Sequence, residues 1–410
     1  MQIKKKILVL IADSNGAYPV PAVKGGAVTT LIEHLVKENN DKQLVDLTVM
    51  SVYDKQAESF ALEKYPNIRF IWVKRSLSIR ALDWIIMSAV KTLFPGKKLL
   101  SYMSITTLLW YIWQASRLLK REFYDKVILQ NNMPLAWVIK LSNYKGEYFY
   151  HLHNTPRTNA KCLPVFQRCK AYLCVSKSVG SEICNPTNPI GPVPQNKIRI
   201  LYNCIDTNLF QEKEINRKVW LDRFCIKENE RVIIYVGRLS EEKGIDQLLL
   251  SLDYIKTKNL KVLVVGSLMS NNSMKDAYQD KINKLAEKFD DRVVFTGYIS
   301  QQELPDIYNL AEISVLPSMW DEPAGLTMIE SLACGTPVIT TRSGGIPEYV
   351  EGGAIVLDRN PKLPQEIAKA IDLLLSDAEF YKQIRQKGID RVKMNFSSNN
   401  YLDSFLESIN

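Results

Sequence analysis

The sequence predicts an α/β protein with two doubly wound domains, each built on a parallel sheet. Short runs rich in β-branched residues alternate with segments of helical apolar spacing along both halves of the chain. Strands separated by helices of this length form βαβ units, and such units assemble parallel sheets. The chain has 410 residues, of which 46% are apolar. A chain of this length can form roughly two to three domains, each with a buried core. Its apolar content excludes a disordered or collagen-like chain.

The strands are predicted from these short runs, beginning with Lys6–Ala12 and the helix Val28–Lys37 that follows it. The other strands of the first half are Leu44–Tyr53, Ile68–Val73, Lys126–Gln130, Tyr148–His153 and Ala171–Val175. The second half repeats the pattern with strands Arg231–Val236, Lys261–Val265, Arg292–Phe295, Ile313–Leu316 and Pro337–Thr340. Helices are predicted between them, near Ile245–Ile255 and Ala277–Phe289.

The boundary between the domains is predicted close to residue 205. Four prolines and one glycine cluster between residues 186 and 194, which is typical of a loop, and we place the crossover at about Tyr202–Asn216. The first domain is then 1–205 and the second is 206–390. The end of the chain has helical spacing, and a helix there, 391–410, must pack on one of the two domains.

The net charge of +9 indicates an anionic partner: nucleic acid, a phosphorylated ligand or an acidic membrane surface. Most of the excess lies in residues 74–121, where nine basic residues accompany one acid, Asp83. Aromatic residues are interleaved with these charges, namely Trp84, Phe94, Tyr102, Trp110, Tyr111 and Trp113. This combination suits an anionic membrane surface. The alternative is a pair of helices packed on a sheet, with core aromatics and solvated charges.

The cysteine content indicates a reducing compartment. Seven cysteines are an odd number, and no two of them have the C-x-x-C spacing of a zinc site or a redox motif. We expect buried thiols that pack as small apolar side chains. The N-terminal apolar run is short enough to be a first strand, and no window holds the roughly 18 apolar residues of a transmembrane helix. The protein is therefore expected to be cytoplasmic.

Two glutamates mark the strongest candidate site. Strand Ile313–Leu316 leads into a loop that carries Glu322, and a helix is predicted to begin near Ala324–Gly325. Small residues at a helix start leave the first-turn N–H groups open to an anion. A ligand with phosphates there would have hydroxyl groups within reach of Glu322, of Glu330 further along the helix, or of both. The alternative is a capping residue and a solvated helix residue.

A second candidate is the loop after strand Arg231–Val236, which carries Arg238 and Lys243. Ligands of open α/β sheets bind outside the carboxyl ends of the strands, where these two cations can neutralise a diphosphate. Gly244 allows close approach before the next helix. Taken alone, a basic pair in a loop is more often simply solvated.

A third candidate is the pair Gly25 and Gly26, between the first strand and the first helix. A glycine pair lets backbone N–H groups approach a phosphate or a sugar. The spacing matches neither the dinucleotide-binding nor the Walker pattern, and a structural turn is an equal alternative.

The fourth candidate is His151-Leu152-His153, at the predicted end of a strand. Strand alternation puts both rings on one face. Two histidines without an acidic or thiol partner are a weak metal site. His153, nearer the strand end, is the better placed to reach a ligand.

Together these residues resemble retaining glycosyltransferase family 4, which has the GT-B fold, and in particular its bacterial envelope or capsular polysaccharide type. The resemblance is densest from Asn203 to Gly353, and the seven residues between Glu322 and Glu330 match the E-x7-E motif of that family. It departs at Asn203-Cys204, where the family commonly has Asn-Gly.

The resemblance implies a role for each candidate in the second domain. Glu330 is expected to bind the nucleotide ribose, and Glu322 to face the donor sugar. The backbone amides of Ala324, Gly325 and Leu326 would bind the sugar and the phosphates. Arg238 and Lys243 would bind the diphosphate.

The resemblance also assigns the first domain. That domain would bind the acceptor, Gly25 and Gly26 would lie on its cleft face, and His153 would contact the donor sugar close to the reaction centre. Two Rossmann-like domains facing a central cleft are expected, with the C-terminal helix 391–410 packing back on the N-terminal domain.

The implied reaction is transfer of a hexose from a nucleotide diphosphate sugar, with UDP-hexose the expected donor, to a saccharide acceptor with retention of configuration. Stabilisation of the leaving diphosphate by Arg238, Lys243 and a helix dipole needs no metal, so no cofactor is expected. The basic aromatic segment favours a lipid-linked acceptor in capsule, exopolysaccharide or envelope glycan synthesis. The enzyme would then be peripherally associated with the inner face of the plasma membrane.

Alternatives of two kinds stay open. Another GT-B enzyme, such as a soluble glucan or sucrose-type synthase or a nucleotide-sugar epimerase, would not need the basic segment. A basic nucleic-acid-binding protein would show salt-sensitive affinity, but the charge is confined to one segment and no nucleic-acid motif is present. Within the glycosyltransferase hypothesis, Glu322 is either a nucleophile or a positioning group in a front-face reaction, which we favour.

Overall fold

The computed structural model describes residues 4–12, 18–93, 104–266 and 273–410. The chain forms two compact units, the first made of Met1–Tyr202 with Ser398–Asn410 and the second of Asn203–Ser397. Each unit contains one parallel sheet with helices between its strands. The predicted α/β class, with two doubly wound domains, is confirmed.

The first unit is built on a seven-stranded sheet in the order β3-β2-β1-β4-β5-β6-β7, with every neighbouring pair parallel. Its strands are β1 (Lys6–Leu10), β2 (Asp46–Val52), β3 (Arg69–Val73), β4 (Lys126–Gln130), β5 (Glu147–Leu152), β6 (Ala171–Cys174) and β7 (Ile198–Ile200). The strand order reverses between β1 and β4, which is the switch point of a doubly wound sheet. The sequence analysis missed β7 because this edge strand has only three residues, none of them fully buried.

Helices connect these strands, and all but the third bury apolar side chains. They are α1 (Ala27–Lys42), α2 (Lys55–Lys64), α3 (Leu77–Leu93), α4 (Ile105–Arg121), α5 (Ala136–Ser142), α6 (Leu163–Arg168) and α7 (Lys177–Cys184). Helix α2 begins after Asp54, whose carboxylate accepts hydrogen bonds from the N–H groups of Gln56 and Ala57. This capping replaces bonds that the first turn of a helix cannot make internally.

The second unit is built on a six-stranded parallel sheet in the order β10-β9-β8-β11-β12-β13. Its strands are β8 (Arg231–Val236), β9 (Leu260–Val265), β10 (Val293–Gly297), β11 (Ile313–Leu316), β12 (Val338–Thr341) and β13 (Ala354–Leu357). Its helices are α8 (Arg217–Arg223), α9 (Ile245–Ser251), α10 (Ser273–Glu287), α11 (Leu304–Leu310), α12 (Leu326–Ala333), α13 (Ile346–Val350), α14 (Leu363–Ser376) and α15 (Ala378–Asn395). The order reverses between β8 and β11, so the loops after these two strands are neighbours.

The two units divide a few residues away from the predicted limits, 205 and 391. The N–H of Asn203 donates to the Tyr349 hydroxyl at 2.9 Å, and Ile205 pairs with Ser397, so the crossover segment belongs to the second unit. Helix α15 also lies in that unit and extends past residue 391.

The end of the chain, from Ser398, belongs to the first unit. Its helix α16 (Tyr401–Ser408) packs against α1, where Glu38 accepts hydrogen bonds from the N–H groups of Tyr401 and Leu402 at 3.1 and 3.2 Å. A carboxylate at a helix N-terminus also complements the helix dipole.

The cysteines are all free thiols. Five are buried, as expected, but Cys184 is partly exposed and Cys225 is exposed. The expectation of buried thiols is therefore wrong at Cys225, which follows the end of α8 in a turn with a positive φ of 53°.

The basic segment 74–121 contains the whole of α3 and α4 and the chain just before α3. Phe94, Lys97, Lys98 and Tyr102 lie outside the described residues. In the parts of the chain that the structure describes, no helix has both the length and the apolar character needed to cross a membrane.

Tyr111 is the core aromatic of this segment and ties α4 to the sheet. Its side chain is fully buried. Its hydroxyl donates to the carbonyl oxygen of Met50 at 2.6 Å and accepts from the N–H of Ile11 at 3.0 Å. Both partners lie at the carboxyl ends of β1 and β2, so a single hydroxyl links the helix to two strands.

We expect Tyr111→Phe to lower the free energy of unfolding by about 1–3 kcal/mol, because a buried N–H and a buried carbonyl lose a partner while the ring packing is kept. Urea unfolding followed by circular dichroism measures this change. Tyr298→Phe is the matched control, since Tyr298 is 79% exposed. Equal unfolding curves for the two variants would contradict the structural role of the Tyr111 hydroxyl.

Candidate active site

The loop between β11 and α12 holds Glu322 in a buried position. Glu322 is 8% exposed, and its carboxylate accepts a hydrogen bond from the Ser318 hydroxyl at 3.1 Å. Its backbone carbonyl accepts from the N–H of Gly345 at 2.7 Å. The carboxylate is therefore fixed from both the side chain and the main chain, as a group that orients a ligand must be.

Lys243, in the loop after β8, forms an ion pair with Glu322. The pair is mostly buried, with side-chain exposures of 25% for Lys243 and 11% for Glu322. A charge taken out of water is costly unless it is paired and hydrogen-bonded, and here each charge offsets the other. The structure thus brings together two residues that the sequence placed in separate candidate sites.

Two glycines permit this close approach of loops. Gly244 has a φ of +67°, and a Cβ there would overlap the carbonyl oxygen of Pro317. Gly344 has a φ of +54°, and a Cβ there would overlap the carbonyl oxygen of Glu322. Any other residue at either position would push the backbone away from the Glu322 loop.

Ser318 is a site residue that the sequence analysis missed. It is 2% exposed, and its carbonyl oxygen accepts hydrogen bonds from the hydroxyls of Thr341 and Ser343, at 2.5 and 2.9 Å. These bonds lock the residue that donates to Glu322. Ser318 lies two residues after the end of β11, on the same loop as Glu322, and this position just beyond a strand end was the available signal.

Arg238 lies on the same loop as Lys243 but is held more loosely. Its side chain is 52% exposed, and its guanidinium lies 3.8 Å from the Glu242 carboxylate. The hydroxyl of Tyr235 donates to the Arg238 backbone carbonyl at 2.9 Å, which fixes the main chain below the side chain. Arg238 can therefore swing toward an anion without breaking a buried contact.

Helix α12 begins beside Glu322, at the residues predicted to supply amides. Gly325 is the N-cap residue and has no side chain to accept hydrogen bonds from the first turn. The helix begins at Leu326, directly after the predicted start near Ala324–Gly325. This end of α12 directs the positive end of a helix dipole into the region of Glu322.

Glu330 lies within α12 and is hydrogen-bonded by Tyr308 of α11, at 3.3 Å. Burial raises the pKa of the Glu330 carboxyl group to about 7, while the hydrogen bond from Tyr308 acts in the lowering direction. The carboxyl group therefore changes charge close to neutral pH.

The remaining predicted site residues lie in the first unit. Gly25 and Gly26 both have positive φ, +73° and +108°, and Gly26 is the N-cap residue of α1. The hydroxyl of Thr29 donates to the carbonyl oxygen of Gly26 at 2.9 Å. A tight turn before α1 is thus observed.

His153 directly follows β5 and is 8% exposed. Its Nε2 lies 3.1 Å from Oε1 of Gln130, and its ring centroid is 4.0 Å from that of His151, so the two rings share a face as predicted. Burial lowers the pKa of His153 to about 3. The ring is therefore neutral at pH 7 and can exchange hydrogen bonds but supplies no positive charge.

Across residues 4–12, 18–93, 104–266 and 273–410, no three His, Cys, Asp or Glu side chains are grouped closely enough to hold a metal ion.

Comparison with known proteins connects this geometry to a family. Residues 216–391 match the family described as Glycosyl transferases group 1. The putative glycosyltransferase YtcC of Bacillus subtilis is 28% identical, over 92% of this chain and 86% of its own. A lipopolysaccharide 1,2-N-acetylglucosaminetransferase of Salmonella typhimurium is 26% identical, over 69% of this chain and 72% of its own.

A shorter match has higher identity. An uncharacterized glycosyltransferase of Methanocaldococcus jannaschii is 32% identical over 54% of this chain, and the match spans 55% of that relative's length.

Solved structures share the fold. HepE of Anabaena, in complex with UDP and glucose, superposes with a TM-score of 0.71 at 17% identity and covers 99% of both chains. Sucrose-phosphate synthase of Thermosynechococcus elongatus superposes with a TM-score of 0.74 at 18% identity and covers 98% of both chains. At these identities the likeness shows the fold alone, which is that of GT-B glycosyltransferases. Residues 216–391 therefore match the Glycosyl transferases group 1 domain, the chain has the GT-B fold, and its relatives support a transferase.

Proposed function

We propose that the enzyme transfers a hexose from a nucleotide diphosphate sugar, UDP-hexose first among them, to a hydroxyl of a saccharide acceptor with retention of configuration. The observation that carries this proposal is the cluster of Lys243, Glu322 and Ser318 beside the start of α12, with Arg238 free to move on the same loop as Lys243. Two cations and a helix N-terminus at neighbouring strand ends suit a diphosphate. The complex of HepE with UDP and glucose supports the choice of UDP.

Each residue has a separate part in donor binding. Arg238, Lys243 and the α12 amides would hold the diphosphate, and Glu330 would accept hydrogen bonds from the ribose hydroxyls. Glu322 would accept hydrogen bonds from hydroxyl groups of the donor hexose, and Ser318 keeps its carboxylate in place.

The chemical step follows from this placement of charge. The bond between the hexose C1 and the diphosphate oxygen breaks, and the leaving diphosphate gains negative charge that Arg238, Lys243 and the α12 dipole stabilise. The acceptor oxygen attacks C1 on the face that the diphosphate leaves, and its proton passes to the departing phosphate oxygen. Glu322 positions the sugar in this front-face reaction and forms no covalent bond to it. Because protein cations stabilise the leaving group, we propose that no metal is required.

His153 and the glycine pair are assigned to the first domain's part in this reaction. As a neutral ring, His153 would exchange a hydrogen bond with a hydroxyl of the donor sugar, and Gln130 at 3.1 Å orients it. Gly25 and Gly26 would let backbone N–H groups approach the donor.

The acceptor is proposed to be a lipid-linked saccharide in capsule, exopolysaccharide or envelope glycan synthesis. The support is the basic aromatic segment 74–121 and the Salmonella typhimurium relative, which is named for lipopolysaccharide. The enzyme would then act in the cytoplasm, peripherally associated with the inner face of the plasma membrane.

A donor panel tests the proposed reaction. We expect UDP release from UDP-hexose to exceed nucleotide release from GDP- and dTDP-sugars, and to continue at the same rate in EDTA, because Arg238 and Lys243 carry the charge stabilisation. Chromatography measures the nucleotide released from each donor with and without EDTA, and NMR gives the anomeric configuration of the product. Release from no donor would refute the reaction, and a strict need for Mg²⁺ or Mn²⁺ would refute the metal-free mechanism.

Arg238→Ala is expected to lower kcat by about 10²–10³-fold, because it removes a cation that acts on developing charge. The fold should persist, since the side chain is 52% exposed. Arg223→Ala, which removes a 44% exposed arginine of the same unit, is the control and should keep wild-type activity. Wild-type kcat in Arg238→Ala would remove the diphosphate assignment.

Donor binding should weaken as pH falls through 7. The pKa of Glu330 is raised to about 7, so its ionised form, which accepts ribose hydrogen bonds, dominates above pH 7 and is lost below it. The Kd for UDP should rise roughly tenfold between pH 8 and pH 6. Calorimetry of wild type and Glu330→Gln separates this effect from the titration of UDP itself. The variant should bind UDP more weakly at pH 8 and keep only the pH dependence that comes from UDP. Parallel pH profiles for the two proteins would exclude Glu330 from ribose binding.

A further inference from the structure

Helix α3 leaves its large apolar side chains in solvent. Leu77 is 82% exposed, Trp84 72% and Leu93 71%, and Leu82 and Ile85 are also about half exposed. Asp83 is the residue of α3 that is buried. A helix with apolar residues on most of its surface is normally inside a protein or in contact with a membrane.

Helix α4 extends this apolar surface. Leu109 and Trp113 of α4 are exposed, and the Trp113 ring stacks on Trp110 with centroids 4.8 Å apart. The guanidinium of Arg117 lies 4.6 Å from the centroid of Trp113. The inner face of the same helix is buried through Tyr111 and its neighbours, so α4 has a fixed orientation and its outer face is genuinely free of the sheet.

Asp83 explains how the apolar residues come to face outward. It is the one acid between Lys74 and Arg121 and is 7% exposed. Its carboxylate accepts hydrogen bonds from the Thr106 N–H, at 2.8 Å, and from the hydroxyls of Thr106 and Thr107 at the start of α4. A polar contact thus attaches α3 to α4, and the apolar side chains are left for another partner.

Burial of Asp83 also decides the charge of the outer surface. Exposed basic residues lie on both helices, namely Arg80, Lys91, Arg117, Lys120 and Arg121. With the single carboxylate turned inward, these helices present apolar and positively charged groups without an exposed acid. A second copy of the chain would bring like charges together, whereas anionic lipid headgroups match them.

We propose that α3 and the outer face of α4 form a membrane-docking surface for an anionic phospholipid bilayer. Leu77, Trp84 and Ile85 enter the boundary between headgroups and acyl chains, and the basic residues contact lipid phosphates. The helices lie along the surface of the bilayer. The inference rests on the proposed function for its purpose, delivery of the enzyme to a lipid-linked acceptor, but lipid binding itself needs neither donor nor acceptor.

Co-sedimentation of the full chain with vesicles of phosphatidylcholine, with and without phosphatidylglycerol, tests the proposal. Wild type should bind the phosphatidylglycerol vesicles and be released by high salt. Trp84→Ser with Ile85→Ser should bind at least about tenfold more weakly, and Arg80→Gln with Lys91→Gln roughly thirtyfold more weakly. Leu62→Ser on α2 is the control, because Leu62 is 75% exposed outside this surface and should bind as wild type.

Unchanged binding in both double variants, or equal binding to neutral vesicles, would overturn the proposal. So would a wild-type dimer in analytical ultracentrifugation that the Trp84 and Ile85 substitutions convert to a monomer without any effect on vesicles, since the partner would then be a second copy. Nucleotide release without vesicles is measured on every variant. If wild type releases no nucleotide but binds anionic vesicles, the donor assignment fails and the docking surface stands.

Discussion

The ion pair between Lys243 and Glu322 is the contact on which the arrangement of the second unit's site depends. It joins the loops that follow β8 and β11, which are adjacent where the strand order reverses. A buried lysine or glutamate alone would be strongly destabilising, so each residue requires the other loop to be close. The positive φ of Gly244 and the hydrogen bond from Ser318 both serve that requirement.

This pairing also balances the charges of the loops that carry Glu322 and Lys243. Glu322 offsets Lys243, and Glu242 lies 3.8 Å from Arg238. The positive end of α12 has no such counter-charge from its N-cap residue, which is glycine. A monovalent anion therefore has little to gain beyond that helix end, since it would compete with a carboxylate for each cation. The proposed diphosphate would gain from all three if it reached both cations and the helix end at once.

The parts of this arrangement that follow from local pattern were predicted, and the parts that follow from contacts between distant segments were not. Strands β8 and β11 have the predicted bounds, because each is a short buried run with a clear end. The short partly exposed strands β7 and β13 were missed since they lack that contrast. Lys243 and Glu322 were each predicted to be site residues. Their pairing depends on strand order, which one sequence does not encode in any local pattern.

The structure of the basic segment also depends on a contact that local sequence pattern does not predict. Its composition alone fits both a packed helix pair and a membrane surface, because the apolar residues of α3 have the spacing of a core helix. In the structure, three hydrogen bonds from Thr106 and Thr107 to Asp83 turn a polar edge of α3 toward α4. A buried carboxylate is stabilised by several hydrogen bonds. A rotation of α3 that buried Trp84 and Ile85 would break the hydrogen bonds of Asp83. The lone acid of the segment thus sets which side chains meet the solvent.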